Sequence, residues 1–407
     1  MLTDIKSQTA EELENQFRAW GQPAYRVQQL LEWLYAHRAT SWEAMTNLPR
    51  ALREELRRHY SLAVLELVRK QGARDATQKF LWRLSDGALI ESVLMAANPA
   101  LYGEPSDRHT LCVSTQVGCA YGCKFCASGL AGWKRNLRVE EIVEQVLAVE
   151  RWNAGESASG AACENPGFGN PGPEAGGENG RAQDAPGARP GASFVPHGAP
   201  FASPARLVSN LVIMGMGEPL ANFDNLLKAL RILNAPWGGG IGARKITIST
   251  SGLAPQIRKL AEEPQQFRLA ISLHGATDET RSRIMPVNRK YPLRELTAAC
   301  EEYQRKRGRM ITFEYILIAG VNDGLDQVLP LAALARRFKA KVNLIPYNRV
   351  EGLAWERPAE DVQEAFLQAL AKQKVKATLR REKGGDIDAA CGQLRLKTER
   401  ELGRRAS

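Results

Sequence analysis

The sequence predicts an α/β fold: a barrel or partial barrel of six parallel strand–helix units behind a small, mainly helical accessory domain. Short apolar runs alternate with amphipathic helical stretches from about residue 108 onward, the pattern of βαβ units around a parallel sheet. The residues before that carry helical periodicity and then one hairpin pattern. One stretch, residues 154–204, interrupts the alternation with a composition unlike the rest.

In QPAYRVQQLLEWLYAHR, Val27, Leu30, Leu31, Leu34 and Tyr35 recur at the spacing of one helix face. Pro49 opens a second helix, ALREELRRHY, where a missing amide costs nothing. QKFLWRLSDGALIESVLM reads as two strands about the turn pair Asp86-Gly87. Together these give an accessory domain over residues 1–90 with an Arg-rich face. The core spans 91–153 and 205–395. Its units are TLCVSTQ with LRVEEIVEQVLAVERW, LVSNLVIMGM with FDNLLKALRILN, and KITIST with LAPQIRKLAEE. FRLAISLH with LRELTAACEEYQRKR, ITFEYILIAG with LDQVLPLAALARRF, and KVNLIPYN with PAEDVQEAFLQALAKQ complete the six. Residues 396–407 read as a basic tail. Residues 154–204 hold 11 Gly and 8 Pro in 51 positions, more than a third, which marks a disordered surface insert.

Of the 407 residues, 44% are hydrophobic and 25% charged, as in a soluble globular protein. The polar N-terminus lacks a signal peptide's apolar run, and no segment has the roughly 18 apolar residues of a membrane span. A cytoplasmic monomer without membrane contact is the expectation. The seven cysteines are then reduced thiols, and clustered ones point to metal binding or catalysis. The net charge is +10, and the insert carries −3, which leaves +13 on the rest. That surplus favours a polyanionic partner, nucleic acid foremost.

Functional groups of parallel α/β barrels collect beyond the C-terminal strand ends. Here those ends carry Gly217-Glu218-Pro219, Ser249-Thr250-Ser251-Gly252, Ser272-Leu273-His274 and Pro346-Tyr347-Asn348. Gly217 lets the backbone approach a ligand, and Glu218 beside it could bind a cationic ammonium. After the first strand come Cys119, Cys123 and Cys126, spaced C-x₃-C-x₂-C. Structural zinc takes four protein ligands, so it would need Cys112 or Cys391 as the fourth. A [4Fe–4S] cluster held by only three thiolates keeps one iron open to substrate, which suits chemistry. Spacing favours the cluster, with zinc as the alternative.

This cysteine spacing, after the first strand of a βα barrel, resembles the radical S-adenosylmethionine (SAM) superfamily. CVSTQVGCAYGCKFCASGLAGWKRNL, GMGEPL, ITISTSG, LAISLH, MPVNRKYPL, EYILIAGVND, NLIPYN and DIDAACGQL together resemble the adenine-C2 methyltransferase family of large-subunit ribosomal RNA and transfer RNA. The resemblance covers nearly the whole chain except 154–204; Thr115 stands where that family usually has serine. It implies a partial (βα)₆ radical SAM barrel, one [4Fe–4S] cluster on Cys119, Cys123 and Cys126, and an external electron donor. Two SAM molecules would be used per turnover, contacted by Gly217, Glu218, Ser249, Ser272, Leu273, His274 and Asn348. Cys391 would carry a methyl group to C2 of an adenine in 23S rRNA or tRNA, and Cys112 would release the product through a transient disulfide. Glu91 would accept the proton. Lys124, Lys134, Arg135, Arg138 and Arg289 become candidate phosphate contacts near the barrel mouth. The alternatives are C8 methylation of the same kind of substrate, or a zinc-stapled RNA-binding protein.

Overall fold

A computed structural model describes residues 2–72, 77–96, 108–130, 132–159, 206–380 and 392–406. The chain begins with a short strand β1 (Thr3–Asp4), then helices α1 (Ala10–Ala19), α2 (Tyr25–Leu31) and α3 (Arg50–His59) and strand β2 (Tyr60–Ser61), which pairs in parallel with β1. A capping box starts α1: the Thr9 hydroxyl accepts from the Glu12 amide, and the Glu12 carboxylate accepts from the Thr9 amide. The apolar face expected at 27–35 is buried, although the helix loosens into a π turn at Glu32–Ala36.

Next come β3 (Glu66–Gln71), β4 (Gln78–Arg83), β5 (Leu89–Ala96) and β6 (His109–Cys112). A small antiparallel pair, β7 (Gln116–Gly118) and β8 (Trp133–Asn136), brackets the one-turn helix α4 (Ala127–Leu130). The rhythm read from the sequence then appears in order. It runs α5 (Val139–Ser159), β9 (Asn210–Ile213), α6 (Phe223–Asn234), β10 (Ile246–Thr250), α7 (Ala254–Glu262) and β11 (Arg268–Ser272). It continues through α8 (Asp278–Ile284), α9 (Leu293–Arg307), β12 (Thr312–Leu317), α10 (Val328–Arg337), β13 (Lys341–Pro346), α11 (Glu360–Lys372) and β14 (Ala377–Leu379).

Ten strands form one open sheet in the order β14-β13-β12-β11-β10-β9-β6-β5-β4-β3, so the barrel is partial. β6 and β9 to β14 run parallel, while β3, β4 and β5 join antiparallel. The hairpin at Asp86-Gly87 therefore belongs to the central sheet, and the boundary expected at residue 90 falls inside β5. Past β14, Arg380 donates to the Met95 sulfur on β5 at 3.3 Å, so the two sides of the opening meet there. The expected tail is instead a helix, α12 (Gln393–Ala406), whose Leu394 packs on Leu81 and Leu89. Among the described residues no helix is long and apolar enough to cross a membrane. α5 continues to Ser159, past the expected start of the insert, and residues 160–205 lie outside the described residues.

Two buried ion pairs dock the N-terminal region on α5. Lys6 Nζ lies 2.6 Å from Glu144 Oε2, and Arg38 lies 3.1 Å from Glu150 Oε2. Glu150 also accepts from the Leu207 and Val208 amides, pinning the chain where it returns toward β9. Breaking a buried pair leaves one charge uncompensated. Glu144→Ala should therefore cost about 3–5 kcal/mol in urea unfolding, and a loss below about 1 kcal/mol would refute the docking role.

Candidate active site

The cysteine loop curls because two glycines adopt left-handed backbone, Gly118 at φ 77° and Gly122 at φ 58°. A side chain at Gly118 would also collide with the Gly132 carbonyl, to which the Cys119 amide donates at 3.1 Å. The Lys124 amide donates to the Ile284 carbonyl, tying the loop to the end of α8. Burial pushes the Cys119 thiol up to about 12, and the neighbouring Cys126 adds to the rise. Burial and both neighbouring thiols also raise Cys123. Buried thiols such as Cys119 and Cys123 ionise readily only beside a strongly cationic centre. Among the described residues no three His, Cys, Asp or Glu side chains converge tightly enough to ligate one metal ion. Three cysteine sulfurs around one cleft are soft donors of the kind that hold an iron–sulfur cluster. The residues present fit such a cluster.

A cleft of about 240 Å³ opens beside this loop. Cys119, Cys123 and Cys126 line it together with Gly217, Glu218, Ser249, Ser272 and His274. Leu273 and Asn348 do not: Leu273 is buried with its carbonyl facing Arg281, and Asn348 is half-buried beyond β13. Gly217 sits at φ 101°, and a Cβ there would strike the Gln116 side chain. That close approach lets Gln116 Oε1 accept from the Glu218 amide at 2.9 Å. The Glu218 carboxylate in turn accepts from the Leu220 amide (3.1 Å) and the Ser251 amide (2.7 Å). Burial raises its pKa despite those donors. A ligand ammonium beside Glu218 would offset that cost.

His274 holds a left-handed backbone, φ 54°, and packs edge-on against Phe125 of the cysteine loop. Its Nδ1 accepts from the Ile316 amide at 3.0 Å, which leaves Nε2 as the protonated nitrogen. Arg281 was not apparent from the sequence, because DETRSRI reads as a solvated helix. It is fully buried, donating to the carbonyls of Ser251, Ser272 (3.0 Å) and Leu273 (2.5 Å). Glu314 also lines the cleft and accepts from Asn343 at 2.9 Å. Its signal was legible: one carboxylate inside the apolar strand ITFEYILIAG.

Glu91 and Cys112 share one face of the sheet. Val93 pairs with both Lys79 and Cys112, and Glu91 lies two residues from Val93 on the same side. The Glu91 carboxylate accepts from the Gly392 amide (2.8 Å) and the Arg395 amide (2.7 Å), capping α12. Cys391 itself lies outside the described residues, but its neighbour Gly392 is held against Ser128, two positions past Cys126. The Glu91 carbonyl accepts from Ser114, whose hydroxyl accepts from the Met216 amide, so both halves of the site share one network. Of the basic candidates, Arg135 and Arg138 are engaged with Asp86, Glu140 and Glu141. Lys124, Lys134 and Arg289 are exposed, with only a 3.9 Å approach of Lys134 to Glu399.

Residues 3–62 match the family model of the ribosomal RNA large subunit methyltransferase N-terminal domain, and residues 203–331 match the radical SAM superfamily. The chain is 50% identical over 397 residues to a probable dual-specificity RNA methyltransferase, RlmN 3, of Opitutus terrae, covering 98% of this chain and 95% of that protein. It is 46% identical to the corresponding probable RlmN of Akkermansia muciniphila, covering 98% and 96%. The crystal structure of a radical SAM methyltransferase from Sphaerobacter thermophilus superposes with a TM-score of 0.78 at 39% identity, covering 96% of this chain and 98% of that one.

Burial, with the Arg281 charge second, lowers His274 from 6.5 to about 3. The unfolded chain protonates this ring below its ordinary pKa while the folded chain does not. Stability present at neutral pH is therefore lost as pH falls toward 3. In urea unfolding, wild type should lose about 2 kcal/mol more than His274→Asn between about pH 7 and 5. Equal losses would refute a neutral, buried His274.

Proposed function

Since this chain belongs to the dual-specificity RNA methyltransferase RlmN family of radical SAM enzymes, we propose that it methylates C2 of one adenine in 23S rRNA and of one in tRNA. One contact carries the reading. Glu91, on the strand paired with that of Cys112, grips the amide next to Cys391 beside the cysteine loop. That a residue adjacent in sequence to Cys391 meets Glu91 supports assigning the three residues to one reaction.

C2 of adenine is an electrophilic amidine carbon, so transfer of a methyl cation to it is mismatched. When bound, a [4Fe–4S] cluster on Cys119, Cys123 and Cys126 and two molecules of SAM would supply the electron, the methyl group and the 5′-deoxyadenosyl radical. Glu218 would orient the amino group of SAM, and His274 Nε2 would offer it a hydrogen-bond donor. Cys391 takes the methyl group, gives up one of its hydrogens and delivers the carbon to C2. Glu91 accepts the proton from C2. The Cys112 thiolate then attacks the Cys391 sulfur; the sulfur–carbon bond breaks, its electron pair stays on the carbon, which takes a proton to become the methyl group, and the disulfide formed is reopened by an external reductant. The exposed lysines beside the loop would hold phosphate, and the adenine must leave its stack to enter the cleft.

Mass spectrometry of digested RNA should find 2-methyladenine, and product at C8 alone would overturn the choice of carbon. Anaerobically purified protein should carry about four irons per chain. Cys391→Ala should abolish methylation, while Cys112→Ala should accumulate protein cross-linked to RNA. A Cys112→Ala variant that turns over freely would remove its role.

A further inference from the structure

The Glu91 carboxylate is more heavily engaged than a free proton acceptor needs to be. Oε2 receives the Gly392 amide and lies 3.2 Å from Lys79 Nζ, while Oε1 receives the Arg395 amide. Lys79 is 1% exposed and Glu91 3%, so neither group is shared with bulk water. A carboxylate offers about four acceptor positions. Among the described residues Oε2 meets one amide and the ammonium, while Oε1 meets one amide alone, so Oε1 is the less engaged oxygen.

The two amides belong to the first turn of α12, the element that begins beside Cys391. Gly392 stands at φ 86°, and any Cβ there would meet the Ser128 backbone and hydroxyl. The start of α12 is thus pressed between the carboxylate on one side and the cysteine loop on the other. Lys79 supports that arrangement from β4, in the sheet row it shares with Val93 and Cys112.

We propose that Lys79 is a positioning residue for the methyl transfer: its ammonium holds Glu91 with Oε2 turned to α12 and one position of Oε1 turned to substrate. A single carboxylate then does two things. It fixes the start of α12 through the Gly392 and Arg395 amides, and it presents the less engaged oxygen, Oε1, to receive the adenine proton. In the carbon-radical adduct the C2–H bond breaks, its electron pair restores the aromatic ring, the new O–H bond forms on Oε1, and the one unpaired electron would pass to a one-electron acceptor, the oxidised iron–sulfur cluster. The inference rests on the roles given to Glu91 and Cys391 above.

Two readouts test it on the cluster-loaded enzyme: hydrogen exchange of the α12 peptide, and 5′-deoxyadenosine formed per methylated adenine. Lys79→Met should speed exchange at the start of α12 by about tenfold or more, because the grip on its amides loosens. It should also raise the deoxyadenosine ratio about tenfold, as radicals form without a correctly placed acceptor. Lys79→Arg, which keeps the charge, should bring both values back toward wild type. Unchanged exchange in Lys79→Met overturns the grip on α12. Faster exchange with an unchanged ratio overturns the positioning role and leaves Lys79 structural. Lys79→Arg matching Lys79→Met in both readouts overturns the part played by the charge. A wild-type enzyme that makes no 2-methyladenine instead defeats the reading of the reaction, while the exchange arm still reports on the grip.

Discussion

Because β6 and β9 to β14 run parallel, their carbonyl ends finish at one rim, where the cleft opens. Such a rim collects backbone carbonyls with few amides to satisfy them, and leaving them dry and unpaired would be costly. Arg281 meets that demand. Its planar guanidinium binds the carbonyls of Ser251, Ser272 and Leu273 at once and so locks two neighbouring strand ends together. Burial lowers it only to about 10, so it stays charged at neutral pH. The tips that carry Ser249, Ser272 and His274 hold their places because this one cation lies under them.

The site has two parts with different physical tasks. On the cleft side, burial raises the thiols of the loop and the carboxyl of Glu218, and cationic groups would relieve both. On the β5 side, the protein completes its own neutralisation by setting Lys79 against Glu91. Ser114 connects the parts, bonded to Glu91 through its hydroxyl and to Met216 of the Gly-Glu-Pro turn. One part is built to receive charged cofactors, and the other to keep a prearranged geometry.

What the sequence revealed was local. Periodicity located the strands and helices of the core, and the cysteine spacing marked the loop; at Gly217, read as leaving room for a ligand, the structure shows a close approach to Gln116. What it concealed was long-range. β3 has no clean alternation, and the hairpin's attachment to β6 depends on pairings such as Val93 with Cys112. The residues from 396 onward look solvated, yet they continue α12, and Leu396 packs on the cluster that holds Ile316, Ile318, Tyr347 and Val350. The engagement of Glu91 joins residues some three hundred positions apart, and no local pattern encodes it. The family resemblance named Glu91; only the fold shows what holds it.

Glu150 has a consequence for how this chain can change over evolutionary time. By holding Arg38 and the amides of Leu207 and Val208, it joins the middle of α5 to the approach to β9. The ends of the intervening segment are therefore fixed by contacts outside it. Doubling the length of chain between two fixed ends costs only about 0.6 kcal/mol in closure entropy. Length there is nearly neutral, so this is where a lineage can accumulate sequence, or an engineer can graft a reporter, without disturbing the catalytic rim.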